Sequence, residues 1–185
     1  MDKIKEGTSL SIVFADWSEM TGVSQSLFCA VWELFKDKTD KGGNPYISHL
    51  IQVAQNVKPQ YRRIAFCHDV IEDCGVDEDW LRNPDFQLSD YEIETIHLLS
   101  HEKGVSYSNY IINILNSKNL GAMYVKMADL LDNMNLNRLR KMTKEDIDRV
   151  TELYIPAYDR ISTKIWFIER HQDKENINNQ EKGNE

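Results

Sequence analysis

The sequence is poor in the residues on which several classes of protein depend. Its three cysteines, Cys29, Cys67 and Cys74, form no CxxC pair, which argues against a disulfide framework or a zinc knuckle and predicts reduced, buried thiols. No apolar run is long enough to cross a bilayer, and the run at positions 10–15 is too short for the core of a signal peptide. We therefore expect a cytoplasmic protein without a membrane partner.

Positive charge is also in short supply. Lysine and arginine number 22 against 30 acidic residues, which leaves a net charge of −8 at pH 7. Nonspecific binding to nucleic acid needs a basic surface, so this charge argues against a nucleic-acid partner. It is compatible with a small anionic substrate, because a metal ion and a few lysines can make a local positive pocket. The sequence leaves the oligomeric state open.

Glycine and proline are sparse, and apolar residues recur at helical spacing. The pattern predicts one all-α domain over residues 1–171, followed by a polar, disordered tail over 172–185. Helices are predicted over 24–35, from Pro45, from Pro59 to a stop at Gly75, and over 89–99, 106–115, 122–134 and 143–170. The segment 8–17 is ambiguous between a helix and a short strand. Met127, Leu131 and Met134 are predicted to point inward, and Pro156 to bend the last helix.

A histidine and three carboxylates fall within two turns of the third predicted helix. His68 lies four residues before Glu72, and Asp69 lies four residues before Asp73, so the polar groups fall near one face. The residues around them are apolar, which predicts that this helix is mostly buried. Acidic pairs at a helix end are often solvated surface, but buried carboxylates need a partner or a metal. We favour a metal site with an acid pair beside it.

Two further helices offer matching donors. His49 lies among apolar residues of the helix after Pro45, and Asp129 follows an alanine in an apolar run. An unpaired carboxylate in such a run is costly to bury. His49, His68, Asp69 and Asp129 therefore form a candidate two-histidine, two-aspartate metal site, a donor set that suits Mn, Fe, Zn or Co.

Three other polar residues are ambiguous in the sequence. His97 and His101 are four residues apart, but no glutamate lies between them in the zincin arrangement. We interpret them as one core-facing and one surface histidine. Asp132 is interpreted either as a residue that lies behind the metal ligands or as an exposed one.

The chain resembles the HD superfamily of metal phosphohydrolases in three motifs, which occur in the family's order: Asn44-Pro45-Tyr46-Ile47-Ser48-His49, His68-Asp69-Val70-Ile71-Glu72-Asp73, and Lys126-Met127-Ala128-Asp129 with Asn133. More narrowly, it looks like the hydrolase domain of RelA/SpoT homologues, which removes pyrophosphate from the 3′ position of (p)ppGpp. The resemblance covers residues 27–158. It implies a single HD-domain helical bundle and a small, stand-alone enzyme that hydrolyses a nucleotide phosphate ester.

The resemblance also implies roles for individual residues. The metal ligands would be His49, His68, Asp69 and Asp129, with Mn²⁺ as the usual ion and other divalent transition metals as alternatives. Glu72 and Asp73 would be the catalytic pair, because a carboxylate beside the metal can accept a proton from activated water. The substrate, a small-molecule nucleotide, would be bound by Lys41, Asn133, Arg149 and Tyr154.

The chain departs from the family pattern where the base is recognised. Asp40 stands where the family has an arginine that stacks on guanine, and Leu130, Asp132 and Asn135 replace two arginines and a histidine. Three hypotheses follow: hydrolysis of the 3′-pyrophosphate of (p)ppGpp-like alarmones, hydrolysis of a (deoxy)nucleotide or a phosphorylated dinucleotide, and a nucleotide sensor without turnover. Retention of both predicted catalytic acids argues against the sensor.

Overall fold

Helices make up the regular secondary structure of the part of the chain described by the computed structural model, which comprises Trp17 and residues 22–182. The α-helices are, in chain order, α1 (Gln25–Phe35), α2 (Tyr46–Gln55), α3 (Arg62–Cys67), α4 (Val70–Cys74), α5 (Glu78–Leu81), α6 (Asp90–Leu99), α7 (Tyr107–Ser117), α8 (Leu120–Asn133), α9 (Lys144–Arg149) and α10 (Ile155–Lys182). Two 3₁₀ turns (Pro59–Tyr61 and Leu136–Arg138) and a π turn (Val150–Tyr154) lie between them. The predicted all-α fold class is confirmed.

Polar side chains explain where several helices begin. Ser24, Ser106 and Asn119 each accept a hydrogen bond from a backbone N–H in the first turn of α1, α7 and α8, respectively. Ser89 and Glu92 form a capping box at the start of α6. The helix starts predicted at 24, 89 and 106 are therefore confirmed to within one residue.

The core lies between α1, α2, α3, α6 and α8. The rings of Phe28 (α1) and Phe66 (α3) stack with centroids 5.6 Å apart, and Trp17 lies 5.4 Å from Phe66. Helix α2 packs against both α3 and α8. The middle of α2 therefore faces the end of α3 and the polar stretch of α8.

The third predicted helix is broken at the site residues. α3 ends at Cys67 and α4 begins at Val70, with Asp69 at φ −103° and ψ 1°. Nδ1 of His68 bonds the carbonyl oxygen of Ala65 at 2.7 Å, which is the oxygen that would accept the N–H of Asp69 in a continuous helix. The prediction of one helix up to Gly75 is wrong in this respect, although Gly75 does end α4, with φ 66°.

The last predicted helix is interrupted one turn before Pro156 rather than at it. α9 leads through the π turn into α10, and the N–H of Ile155 bonds the carbonyl oxygen of Val150. Pro156 has no N–H to offer to the preceding turn, which favours a wider turn at this point. α10 extends to Lys182, and the division into a domain over 1–171 and a tail over 172–185 stays a prediction.

Two other predictions on helices have mixed outcomes. Leu131 is 47% exposed, so its predicted inward position is wrong, while Met127 and Met134 pack partly buried against the core. The ambiguous segment 8–17 lies outside the described residues except for Trp17, which is helical and buried. Within the described residues, no helix combines the length and apolarity that a membrane span requires.

Candidate metal centre and its cleft

Two histidines and two aspartates meet where α2, the α3–α4 corner and α8 converge. Nε2 of His49 is 3.3 Å from Oδ1 of Asp129 and 3.6 Å from Oδ2 of Asp69. Nε2 of His68 is 3.7 Å and 3.0 Å from the same two oxygens. Donor atoms of His49, His68 and Asp129 all lie within 4.8 Å of one another, and all three residues are buried. These three residues would together hold a single metal ion.

The second nitrogen of each imidazole is engaged by the protein. Nδ1 of His49 donates to Oδ2 of Asp132 at 2.5 Å, and Nδ1 of His68 donates to the carbonyl oxygen of Ala65. These bonds turn both Nε2 lone pairs towards the two carboxylates, and Nε2 of His68 is buried without a hydrogen bond. Lone pairs that face carboxylates repel them unless a cation lies between, so the donor set fits a divalent transition metal.

Without a metal, the carboxylates favour protons on the imidazoles. Burial opposes the charged form of His49, but the hydrogen bonds to Asp129 and Asp69 outweigh it and raise the pKa to about 9. Burial acts likewise on His68, where the charges of Asp69 and Asp129 raise the pKa to about 9. Burial would raise the pKa of Asp69, yet the charge of His68 holds it below its usual range. The cluster therefore favours positive charge at its centre.

Asp129 is also held by its own helix. Its Oδ2 accepts a hydrogen bond from Nζ of Lys126 at 2.8 Å, and its Oδ1 accepts one from Nδ2 of Asn133 at 2.5 Å. Spacings of three and four residues along α8 place these groups on one face. Burial would lower the pKa of Lys126, but the charge of Asp129 holds it well above its ordinary value. The other aspartate of the cluster, Asp69, is held by the hydroxyl of Tyr46, which donates to its Oδ2 at 2.7 Å.

A cleft lies over the cluster as two adjoining cavities. The first, which we call the acid cavity, measures about 280 Å³ and is lined by Asp69, Glu72, Asp73, Tyr107, Lys126 and Asp129, among others. The second, the loop cavity, measures about 170 Å³ and is lined by Asp40, Lys41, His49, Asp132 and Arg138, among others. Both cavities are lined by Tyr46, Asn133, Arg149 and Tyr154. The candidate metal centre therefore faces a cleft that is lined by both acidic and basic side chains.

The predicted acid pair lies at the exposed edge of the acid cavity, on α4. Oε2 of Glu72 accepts the backbone N–H of His101 at 3.0 Å, which holds this carboxylate in place. The N–H of Asp73 bonds the carbonyl oxygen of Asp69 at 2.9 Å, so the helix that carries the acids starts at a candidate metal ligand. The corner between α3 and α4 thus sets the distance between the acids and the cluster.

The four predicted substrate-binding residues, Lys41, Asn133, Arg149 and Tyr154, all line the cleft. Arg149 and Tyr154 are five residues apart, which in a regular α-helix would separate their directions by about 140°. The π turn between them closes with i to i+5 hydrogen bonds and brings positions five apart closer to one face. The distortion before Pro156 therefore allows both side chains to reach the same cleft.

Arg138 is a candidate site residue that the sequence reasoning missed. Its Nη1 donates to Oδ2 of Asp132, the carboxylate behind His49, and its Nη2 donates to Oδ2 of Asp40 at 2.8 Å. Asp40, which stands where the resembling family has a base-stacking arginine, therefore has a cation supplied from elsewhere in the chain. A signal was present in the sequence, since Arg138 lies three residues after Asn135, which stands where the family pattern has an arginine.

His97 and His101 are not part of the cluster. His97 is exposed and bonds Glu78 at 2.6 Å. His101 stacks on Tyr110 with centroids 4.7 Å apart, and its Nε2 bonds the carbonyl oxygen of Val105 at 2.7 Å. One is a surface residue and the other packs inward, as predicted.

No protein-family model matches the chain. Among solved structures, the fold is similar to that of a metazoan ortholog of SpoT, which is described as hydrolysing ppGpp and playing a role in starvation responses. The TM-score is 0.52 at 19% sequence identity, and the match covers 80% of this chain and 93% of the other. This likeness concerns the fold, and it supports the single all-α helical bundle that the sequence predicted.

Proposed function

We propose that the protein is a divalent-metal-dependent phosphohydrolase that removes the 3′-pyrophosphate from a (p)ppGpp-like alarmone. The observation that carries this proposal is the buried cluster in which both Nε2 atoms face carboxylates. The cluster adjoins a cleft whose walls carry the acids and cations that phosphate chemistry uses. The likeness in fold to a protein described as hydrolysing ppGpp supports this class of substrate.

His49, His68, Asp69 and Asp129 are the proposed metal ligands, with Mn²⁺ as the proposed ion. A divalent metal at this position lowers the pKa of water and offsets charge on phosphate oxygens. The protein's own contribution is to aim the imidazoles, through the bonds from their Nδ1 atoms, and to keep the carboxylates in place.

Glu72 and Asp73 are the proposed acid–base pair. One of these carboxylates accepts a proton from the attacking water while the water oxygen bonds to phosphorus. The bond between that phosphorus and the ribose 3′ oxygen breaks, pyrophosphate leaves, and the 3′ oxygen takes up a proton from solvent. Lys126 and Arg149 line the acid cavity and would place positive charge beside the departing group. Lys41, Asn133 and Tyr154 would contact the remaining phosphate, nucleoside and sugar.

Product analysis tests the substrate. Metal-stripped protein, with and without added Mn²⁺, is incubated with ppGpp and with a panel of NTPs, dNTPs and NADPH, and the products are separated by anion exchange. We expect Mn²⁺-dependent conversion of ppGpp to GDP and pyrophosphate. Turnover of another panel member alone would contradict the alarmone assignment and keep the metal chemistry. Tight metal binding with no turnover of any member would contradict the assignment as an enzyme acting on these substrates.

Glu72→Gln tests the acid pair. The amide can still accept the N–H of His101 but cannot take a proton from water, so we expect kcat to fall by roughly 10²–10⁴. Mn²⁺ content should stay that of the wild type, because Glu72 lies outside the cluster. Glu94→Gln is the matched control, since Glu94 is an exposed carboxylate on α6, away from the cleft. Normal turnover by Glu72→Gln would exclude Glu72 as the base and leave Asp73, which Asp73→Asn then tests.

A second candidate function is the same chemistry on a nucleotide with another base. The observation that favours it is Asp40, whose carboxylate is engaged by Arg138 at the wall of the loop cavity. An arginine that is held between two carboxylates is less available to stack on guanine than a free one. The substrate panel above separates this candidate from the first.

A further inference from the structure

The hydroxyl of Tyr107 is buried at the acid cavity and has no hydrogen-bond partner. Tyr107 is the first residue of α7, and its ring lies 6.0 Å from that of Tyr110 and 6.1 Å from that of Tyr154. A buried hydroxyl without a partner is unfavourable, and native structures keep such groups rarely. Its presence at a cleft indicates a ligand that completes the bond.

Two of the other tyrosines that line this cavity, Tyr46 and Tyr110, have protein acceptors. The hydroxyl of Tyr46 donates to Asp69, and that of Tyr110 donates to the carbonyl oxygen of Leu99. These two hydroxyls therefore have a structural role. Tyr107 differs from them, and burial raises its pKa to about 12, so its hydroxyl keeps the proton that it would donate.

The chemistry around this hydroxyl favours an anionic oxygen. The ammonium group of Lys126 lies 5.9 Å from the centroid of the Tyr107 ring and 5.1 Å from that of Tyr110. Arg149 lines the same cavity. The carboxylates nearby belong to the proposed metal centre and acid pair, so their charge is directed at the metal and the water. A hydroxyl donor in a cavity that an ammonium and a guanidinium group also line matches a phosphate oxygen.

We propose that Tyr107 is a substrate-binding residue whose hydroxyl donates a hydrogen bond to an oxygen of the diphosphate group that leaves. This inference rests on the proposed function, because it requires a phosphorylated substrate in the acid cavity. It places the diphosphate between the metal centre and the aromatic wall of α7, on the side of Lys126. The nucleoside then extends towards Asn133 and the loop cavity.

Tyr107→Phe removes the hydroxyl and keeps the ring. The probe is inorganic pyrophosphate, titrated by calorimetry into Mn²⁺-loaded protein, with KM and kcat for ppGpp measured in parallel. Total Mn²⁺ is held the same for each variant, so chelation by pyrophosphate cancels in the ratio. We expect roughly ten-fold to hundred-fold weaker pyrophosphate binding, since the lost bond is to a charged group. The Mn²⁺ content should not change.

Tyr124→Phe is the matched control. Its hydroxyl bonds Glu169 and lies outside the cleft, so its removal should leave pyrophosphate binding unchanged. Thermal unfolding of the metal-free proteins provides a second readout: Tyr107→Phe should melt at or above the wild-type temperature, because it removes an unpartnered buried group. A clear fall in its melting temperature would show that the hydroxyl has a structural partner and would overturn the inference.

The outcomes separate the two proposals. If the wild type binds pyrophosphate and hydrolyses ppGpp while Tyr107→Phe does both within two-fold of it, the inference is wrong and the proposed function stands. If the wild type neither binds pyrophosphate nor turns over ppGpp, the proposed function fails and the inference fails with it.

Discussion

The two carboxylate oxygens of Asp129 have different partners. Oδ1 faces the Nε2 atoms of His49 and His68, and Oδ2 accepts a hydrogen bond from the ammonium group of Lys126. The Lys126 side chain is 14% exposed, so its charge is largely removed from water and depends on this partner. The same carboxylate therefore completes the candidate metal centre and permits a lysine in the core-facing side of α8.

Asp129→Asn separates these two tasks. The amide has nearly the same shape but no charge, so we expect loss of Mn²⁺ binding and destabilisation of the metal-free protein by up to about 3 kcal/mol. In the double variant Asp129→Asn with Lys126→Met, stability should recover while metal binding does not. Chemical denaturation of the metal-free proteins and metal analysis after dialysis measure the two effects. Wild-type stability in the single variant would show that Lys126 does not depend on Asp129.

The candidate ligands and acids could be predicted because they lie in short motifs whose spacing carries the chemistry. Tyr107 and Arg138 could not be predicted in the same way. The place of Tyr107 depends on how α7 packs against α8 and α10, and nothing in local spacing distinguishes it from Tyr110. Arg138 reaches Asp132 and Asp40 through a turn that follows α8, and the second of these contacts spans 98 positions.

At the scale of elements, the loop between α1 and α2 is fastened to the turn after α8. A Cβ at Gly42 would lie 2.0 Å from the carbonyl oxygen of Arg138, so this approach requires glycine. The Arg138 side chain then bridges Asp40 in the loop and Asp132 at the end of α8. The loop that carries Lys41 is thereby held at one wall of the cleft.

Arg138→Gln should loosen this loop. The N–H of Asn44 bonds Oδ1 of Asp40, and a carboxylate that has lost its guanidinium partner holds that amide less firmly. We expect hydrogen exchange at the backbone N–H of Asn44 to become roughly ten-fold faster, because this factor corresponds to the free energy of one hydrogen bond to a charged group. Exchange followed by NMR measures this. KM for the nucleotide should rise as well, because Lys41, a proposed substrate-binding residue, lies in this loop.

Arg140→Gln is the control for this prediction, since the Arg140 guanidinium packs against Gly43 in the same loop without bridging these carboxylates. Equal exchange rates in the two variants would contradict the bridging role of Arg138.

The bridge between Arg138 and Asp40 also affects how base preference should be tested. Asp40→Arg alone would bring two guanidinium groups together, so an arginine at position 40 should be introduced together with Arg138→Gln.

The helices themselves were largely predictable, whereas their interruptions were not. Apolar spacing and capping side chains indicate α1, α6 and α7 to within one residue at their starts. The break between α3 and α4 contains neither glycine nor proline, and it depends on the bond from His68 to Ala65. Pro156 favours a wider turn, but apolar spacing did not indicate that the interruption would fall over Val150–Tyr154, where the π turn contacts α8. Both interruptions lie beside the cleft, where they aim site residues that a regular helix would turn away.

At the scale of the whole molecule, the cluster joins three parts of the chain that are far apart in sequence. His49 comes from α2, His68 and Asp69 come from the α3–α4 corner, and Asp129 comes from α8. In the unfolded chain these donors are separated, so a metal ion held by this cluster would bind the folded state much more tightly than the unfolded one. Any such ligand stabilises the fold by mass action.

Mn²⁺ should therefore raise the melting temperature of the wild type. At a free concentration one hundred times the dissociation constant, it would add about 2.7 kcal/mol, which for a chain of this size is a shift of about 5–10 °C. Calorimetry of metal-stripped protein, with Mn²⁺ or with a chelator, measures the shift. Asp129→Asn should show none, because it lacks a ligand, whereas Glu94→Gln should show the full effect. A shift of equal size in Asp129→Asn would place the bound ion elsewhere, and no shift in the wild type would contradict a metal centre that ties these three elements together.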